Sequence, residues 1–156
     1  MANDILLNKW FFTFITGWVV FLILVDRKTL NKNIWGGIIC CLLELWEDSL
    51  AYIMGMYFFK EMGIEILNVS AFFTFGITLT MGILFMQFIP GNPVLQIIHL
   101  LVFNIGFTVF EALVKYAGIL ETPHWSLTAS FLNSILIFGG ILWFNDYLNY
   151  TTGRQR

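Results

Sequence analysis

The side chains best placed to do chemistry in this sequence are carboxyl groups set among apolar residues. Glu44, Glu47 and Asp48 fall inside a long apolar segment, 34–59, and Glu111 falls inside another, 94–117. On a helix, Glu44 and Asp48 are neighbours four residues apart on one face. Glu47 lies roughly 60° or more to one side of them. A carboxylate at the centre of a bilayer costs about 2.5–3.5 kcal/mol, so such a residue marks a functional site by default. Ionising two adjacent carboxylates in a low dielectric is unfavourable, so at least one of Glu44 and Asp48 is expected to hold its proton at neutral pH. The chemistry expected is binding of a proton or small cation, with amide and hydroxyl oxygens as neutral ligands. Asn104 and Asn133 are the amides on matching faces of later segments. The candidate ion- or proton-binding set is therefore Glu44, Asp48, Glu111, Asn104 and Asn133. A competing reading makes the same groups a hydrogen-bonded network that fixes helix register. Lys115, four residues after Glu111, has the spacing of an intrahelical ion pair.

Carboxyl groups carry this meaning only if the surrounding segments lie in lipid, and composition points there. Of 156 residues, 58% are hydrophobic and 12% charged, and the mean hydropathy is +0.79. A soluble domain carries about 25% charged residues. Too few charges are present to coat a water-facing surface. The net charge of −2 and the lack of any basic run exclude a nucleic-acid footprint. Five apolar segments, at about 10–25, 34–59, 70–89, 94–117 and 125–148, predict a single all-α membrane domain of five transmembrane helices. A span of hydrocarbon needs about 20 residues, which leaves the first segment short unless Ile5–Leu7 contribute. The N-terminal stretch lacks the basic region and cleavage site of a signal peptide, so the first segment reads as a retained helix.

The connections are short. Residues 26–33 hold Asp26, Arg27 and Lys28 with Asn31 and Asn33 as turn formers, and residues 90–93 read Pro-Gly-Asn-Pro. Arg27, Lys28 and Lys32, with Arg154 and Arg156, face Lys9, Lys60 and Lys115 across the predicted bundle. That balance puts the C-terminus in the cytoplasm and the N-terminus outside.

Helical wheels assign the inward faces. In the second segment Gly37, Cys40, Cys41, Glu44, Asp48, Ala51 and Gly55 share one side, and Ile38, Ile39, Leu42, Leu43, Trp46, Leu50, Ile53 and Met56 the other. In the fourth, Asn104, Thr108, Glu111 and Lys115 oppose Ile98, Val102, Ile105, Val109 and Leu113. Ser70, Thr74, Thr78 and Gly82 mark the third, and Ser126, Ala129, Ser130, Asn133 and Gly140 the fifth. Small residues of this kind serve close helix packing in membranes. Asp48, Glu111 and Asn133 are expected to meet in the outer half of the bundle, with Glu44 and Asn104 deeper.

Other chemistry finds little support. Cys40 and Cys41 are adjacent and form neither a zinc nor a dithiol motif. Glu121-Thr-Pro-His124 spells ExxH, but Pro123 spoils the helical geometry that a carboxylate metal site needs. His99 reads as an interfacial, hydrogen-bonded histidine. Trp10, Trp35, Tyr57, Tyr116, Trp125, Trp143, Tyr147 and Tyr150 fall at segment ends and read as interfacial anchors. No nucleophile elbow, HExxH, phosphate-binding loop or dinucleotide fingerprint is present. No cofactor or metal is expected, and an intramembrane lipid-modifying enzyme is the weakest reading.

Asp26-Arg27-Lys28-Thr29 after the first segment, Glu44-Leu-Trp-Glu-Asp48, Phe88-Ile-Pro90 and Trp125 at the last segment together resemble a family of small polytopic membrane proteins of endospore-forming, Clostridium- and Bacillus-like bacteria. The three acids of the second segment depart from that family's pattern. The resemblance implies a bacterial inner-membrane protein and a helical fold, and brings no established activity. The leading expectation is a small transporter or accessory subunit with buried carboxylates. The alternative is a structural or partner-binding membrane protein whose polar stripes serve packing and assembly. Membrane lipids, a second copy of the chain or a membrane partner are the expected neighbours.

Overall fold

A computed structural model describes residues 8–151. Ile5–Leu7, Arg154 and Arg156, and the side chain of Tyr150, lie outside the described residues. Five helices run antiparallel in sequence: α1 (Lys9–Leu24), α2 (Leu30–Ile53), α3 (Ala71–Gln87), α4 (Pro93–Tyr116) and α5 (Leu127–Thr151). Four two-residue strands, β1 (Phe58–Phe59), β2 (Glu65–Ile66), β3 (Val69–Ser70) and β4 (Leu120–Glu121), form a cap over one end.

Local chemistry sets the helix boundaries. The Asn8 side chain accepts from the Trp10 and Phe11 N–H groups and starts α1. Asn92 caps α4 in the same way, and Pro93 follows as the first helical residue, where its missing N–H is harmless. α2 differs most from the expected 34–59. It begins at Leu30, so Asn31 and Asn33 are helical and not turn residues. Asn33 is buried and donates to the Thr29 hydroxyl at 2.9 Å. α2 then stops at Ile53, and Gly55 takes a positive φ of 70° that turns the chain back. Phe58 and Phe59, expected to be helical, pair in β1 with Glu121 and Leu120 of β4. The β2–β3 hairpin turns on Leu67 and Asn68, both at positive φ.

α3 is the central helix. Five of its residues, Thr74–Thr78, form a π turn between two α-helical halves. Thr74, Gly76, Thr78, Thr80 and Gly82 are all buried. α1 crosses α3 where Gly17 meets Gly76: a Cβ on Gly17 would stand 2.8 Å from the Gly76 carbonyl oxygen. α2 crosses it at Gly36, Gly37 and Gly82, where a Cβ on Gly82 would stand 2.7 Å from the Gly36 carbonyl oxygen. α4 and α5 pair with each other, and Phe85 of α3 stacks between His99 and Phe138 at ring distances of 4.6 Å each. On α5 the buried stripe is Ser130, Ser134, Ile137, Phe138, Ile141 and Asn145. Ser126 and Gly140, expected on that face, are exposed. The flanking residues there are apolar on every side, so hydropathy could not orient the helix.

The outward faces are apolar. Leu42, Trp46 and Ile53 of α2, Val102, Ile105, Val109 and Leu113 of α4, and Leu132 and Leu136 of α5 are exposed. α4 and the stretch Leu127–Asn149 of α5 are long and apolar enough to cross a membrane. α1 and α3 are apolar but shorter. α2 has 24 residues but carries three acids.

Replacing Gly82 by Ala drives a methyl group into the α2 backbone. Loss of about 1–3 kcal/mol of stability is expected, the usual scale of an overpacked contact. Gly106→Ala, where a Cβ meets nothing within 4 Å, is the matched control and should be neutral or slightly stabilising. Thermal unfolding of both variants beside wild type checks this.

Candidate functional site

Beneath the cap, α2, α3, α4 and α5 enclose a small cavity. Because α2 ends at Ile53, Asp48 stands only about 7.5 Å from the helix end, at a rise of about 1.5 Å per residue. The same rise puts Glu111 about 7.5 Å from the end of α4 and Asn133 about 9 Å into α5. The three residues therefore share a level, shallower than the full-length second segment would give.

Glu44, Asp48, Glu111 and Asn133 line this cavity, joined by Glu47. Asn104 does not. It is fully buried below, where its amide donates to the Phe131 carbonyl at 3.1 Å. Four carboxyl groups and no basic side chain face the space. Glu111 and Lys115 make no direct ion pair, although the Lys115 charge acts on Glu111 from one turn away; Lys115 is exposed at an outer groove shared with Lys60 and Glu121. Lys60 and Glu121 pair there with each other, which takes the acid of the ExxH stretch. Among the described residues, no three His, Cys, Asp or Glu side chains converge as metal ligands.

The four carboxyl groups are not equivalent. Glu111 accepts from Ser130 Oγ at 2.6 Å, and that oxygen accepts from Trp125 Nε1 at 2.6 Å. Glu47 accepts from the Asn133 amide. Both acids are thus tied to α5. Asp48 Oδ1 accepts from the Tyr57 hydroxyl at 2.5 Å, but Oδ2 is buried with no partner. Glu44 is 7% exposed and receives no hydrogen bond from any described residue. Burial, then the charge of Asp48, pushes the Tyr57 phenol well up, so it stays a protonated donor.

The rest of the wall is aromatic. Rings run in contact from Trp125 to Tyr57 (5.6 Å between centroids), to Phe59 (6.1 Å), to Trp10 (5.4 Å), to Phe73 (5.7 Å) and to Phe110 (6.1 Å). Trp10, Tyr57 and Trp125 therefore depart from the expectation that they anchor an interface. Trp10 is fully buried, and its indole donates to the Lys60 carbonyl at 2.7 Å. Trp35, Tyr116, Trp143 and Tyr147 are exposed. The cap that carries Tyr57 and Phe59 is closed by Lys60 N–H to the Ile119 carbonyl at 2.8 Å and His124 N–H to the Met56 carbonyl at 3.2 Å. Tyr57 and Ser134 are site residues outside the expected set, and Ser130, expected only in the inward packing stripe, is a third. The Ser130–Ser134 spacing, one turn apart beside Asn133, was the available signal.

Elsewhere, Cys40 and Cys41 are free and buried, and the Cys41 thiol donates to the Thr74 carbonyl at the start of the π turn. His99 sits half-buried with Nε2 at 2.9 Å from the Phe85 carbonyl. No family model matches the chain, and no curated protein or solved structure matches it significantly.

Removing the Tyr57 hydroxyl leaves both Asp48 oxygens without a donor. Tyr57→Phe should cost about 1–3 kcal/mol, the penalty for stripping a buried polar group of its partner. Tyr52→Phe, with no hydrogen bond to lose, should cost little. Chemical unfolding curves for the two variants test the difference.

Proposed function

We propose that the chain is a five-helix membrane protein of the bacterial inner membrane, resembling those of endospore-forming bacteria, whose enclosed carboxyl groups bind and exchange a proton or small cation as part of transport. One observation carries this reading: Asp48 is buried in a carboxyl-lined cavity with one oxygen left without a hydrogen-bond partner. Thr78 Oγ1, Asn104 Oδ1 and Thr122 Oγ1 are also buried without a partner, but of these four residues only Asp48 lines the cavity. An unpartnered buried acceptor is destabilising, and a ligand that brings a donor relieves that cost.

The membrane setting is supported by the apolar outer faces. Exposed Leu, Ile and Val recur along α2, α4 and α5, far beyond the scattered apolar patches of a water-soluble monomer. In that setting the three lysines nearest the cavity, Lys9, Lys60 and Lys115, lie at its capped end, and loop charges favour that end as the outer one. The cavity then lies just beneath the cap on the outer side, while the long apolar stretch of α3, α4 and α5 separates it from the cytoplasmic side.

A register-fixing role fits two of the acids. Glu47 with Asn133 and Glu111 with Ser130 tie α2 and α4 to α5. Glu44 and Asp48 are left for exchange. The two groups separate by substitution. Glu44→Gln and Asp48→Asn should keep helicity and thermal stability while abolishing proton or cation flux in proteoliposomes. Asn133→Ala should lower stability by about 1–3 kcal/mol as Glu47 loses its donor. Unchanged flux in Asp48→Asn, or a large loss of its stability, would overturn the transport reading and leave a structural network.

A further inference from the structure

Resting on the reading that the cavity binds a cation, we infer that its ligand is a small primary ammonium ion, ammonium itself or methylammonium, held between the free carboxyl oxygens and the aromatic wall. Three features of the cavity lead to this class.

The first is the unsatisfied acceptors. Asp48 is 4% exposed and its Oδ2 is buried with no partner, while Glu44, which lines the same cavity, receives no hydrogen bond from a described residue. These oxygens ask for N–H or O–H donors. They lie one turn apart on one face of α2, and no group of three His, Cys, Asp or Glu side chains suited to a metal ion forms among the described residues. An ammonium nitrogen carries three or four donors aimed in different directions, so it satisfies two neighbouring acceptors without further oxygen ligands.

The second is the wall. Trp10, Tyr57, Phe59, Phe73 and Trp125 line the same cavity as the acids. Aromatic faces within about 6 Å attract ammonium groups through the ring quadrupole, with Trp the strongest. They offer little to a small metal ion, which retains its water. A proton site has no use for so extensive a ring surface.

The third is size. The cavity measures about 40 Å³, and a water molecule requires roughly 10–15 Å³ by the same measure. Space for about three water-sized groups suits ammonium or methylammonium better than the bulkier tetramethylammonium.

Equilibrium binding of radiolabelled methylammonium to the purified full-length protein in nanodiscs tests this. One methylammonium per chain is expected, displaced by ammonium. Sodium, potassium and tetramethylammonium should each compete at least about tenfold less well, a difference of about 1.4 kcal/mol. Asp48→Asn and Glu44→Gln should abolish binding. Phe110→Leu, which removes a ring from the wall without touching an acid, should weaken it by roughly threefold to fivefold. Glu65→Gln, on the exposed hairpin, should leave it unchanged. Circular dichroism confirms that each variant is folded. Equal displacement by sodium, potassium or tetramethylammonium overturns the inference on wild-type protein alone. Absence of methylammonium binding alongside flux that depends on Asp48 overturns the ammonium assignment and leaves the proton reading standing. Absence of both overturns the two together.

Discussion

The backbone contact between α2 and α3 governs the rest of the molecule. Gly36 and Gly37 lie against Gly82 so closely that a single methyl group would collide with main-chain atoms. Helices in that contact cannot rotate about their axes without losing it. Gly37, Cys41, Glu44 and Asp48 follow one another at helical spacing, so the rotation that buries the glycines also points both carboxyl groups inward. The same contact turns Leu42, Trp46 and Ile53 outward. A packing device made of the smallest residues thus decides where the most costly ones go. Tight approach is the main source of helix association in lipid, where burial of apolar side chains gains little.

α5 supplies the second half of the arrangement. Its Ser130 and Asn133 reach Glu111 and Glu47, and Ser130 also receives the Trp125 indole. The cap adds Tyr57 to Asp48. α5 thus addresses two of the acids and the cap a third, while Glu44 receives no donor from the described residues. The π turn in α3 starts directly after Phe73 of the cavity wall. The same helix presents Gly76 to α1 and Gly82 to α2, and its Thr74 carbonyl, which accepts from the Leu79 N–H, also receives the Cys41 thiol. π turns occur often at functional positions.

Much of this was legible from residue types and spacing. Five helical segments, the inward face of α2 and the outward apolar face of α4 all follow from 3.6-residue periodicity, because small or polar side chains there oppose bulky apolar ones. The end of α2 was not legible. Tyr57-Phe58-Phe59 is as apolar as the helix before it, and only the positive φ of Gly55 and the pairing with Leu120 and Glu121 reveal the turn. The aromatic residues Trp10, Tyr57 and Trp125 were misplaced for the same reason. A ring near a helix end looks alike whether it meets lipid headgroups or folds over the bundle. Lys115 follows the periodicity of Glu111, but it lies in the exposed last turn of α4 and makes no direct ion pair with it. Asn104 shared the helical face of Glu111 yet sits two turns deeper, out of reach of the cavity.

The β1–β4 ladder has a consequence for how the molecule is made. It joins chain segments about sixty residues apart, and the partners of Glu47 and Glu111 lie later still, on the last helix. A nascent chain that has formed α1–α4 but not α5 carries four acids with no Ser130 or Asn133 to receive two of them. Biogenesis is therefore least secure just before its final step. The arrival of α5 both completes the bundle and seals its polar interior, so the last helix acts as the closing element of assembly as well as a wall of the site.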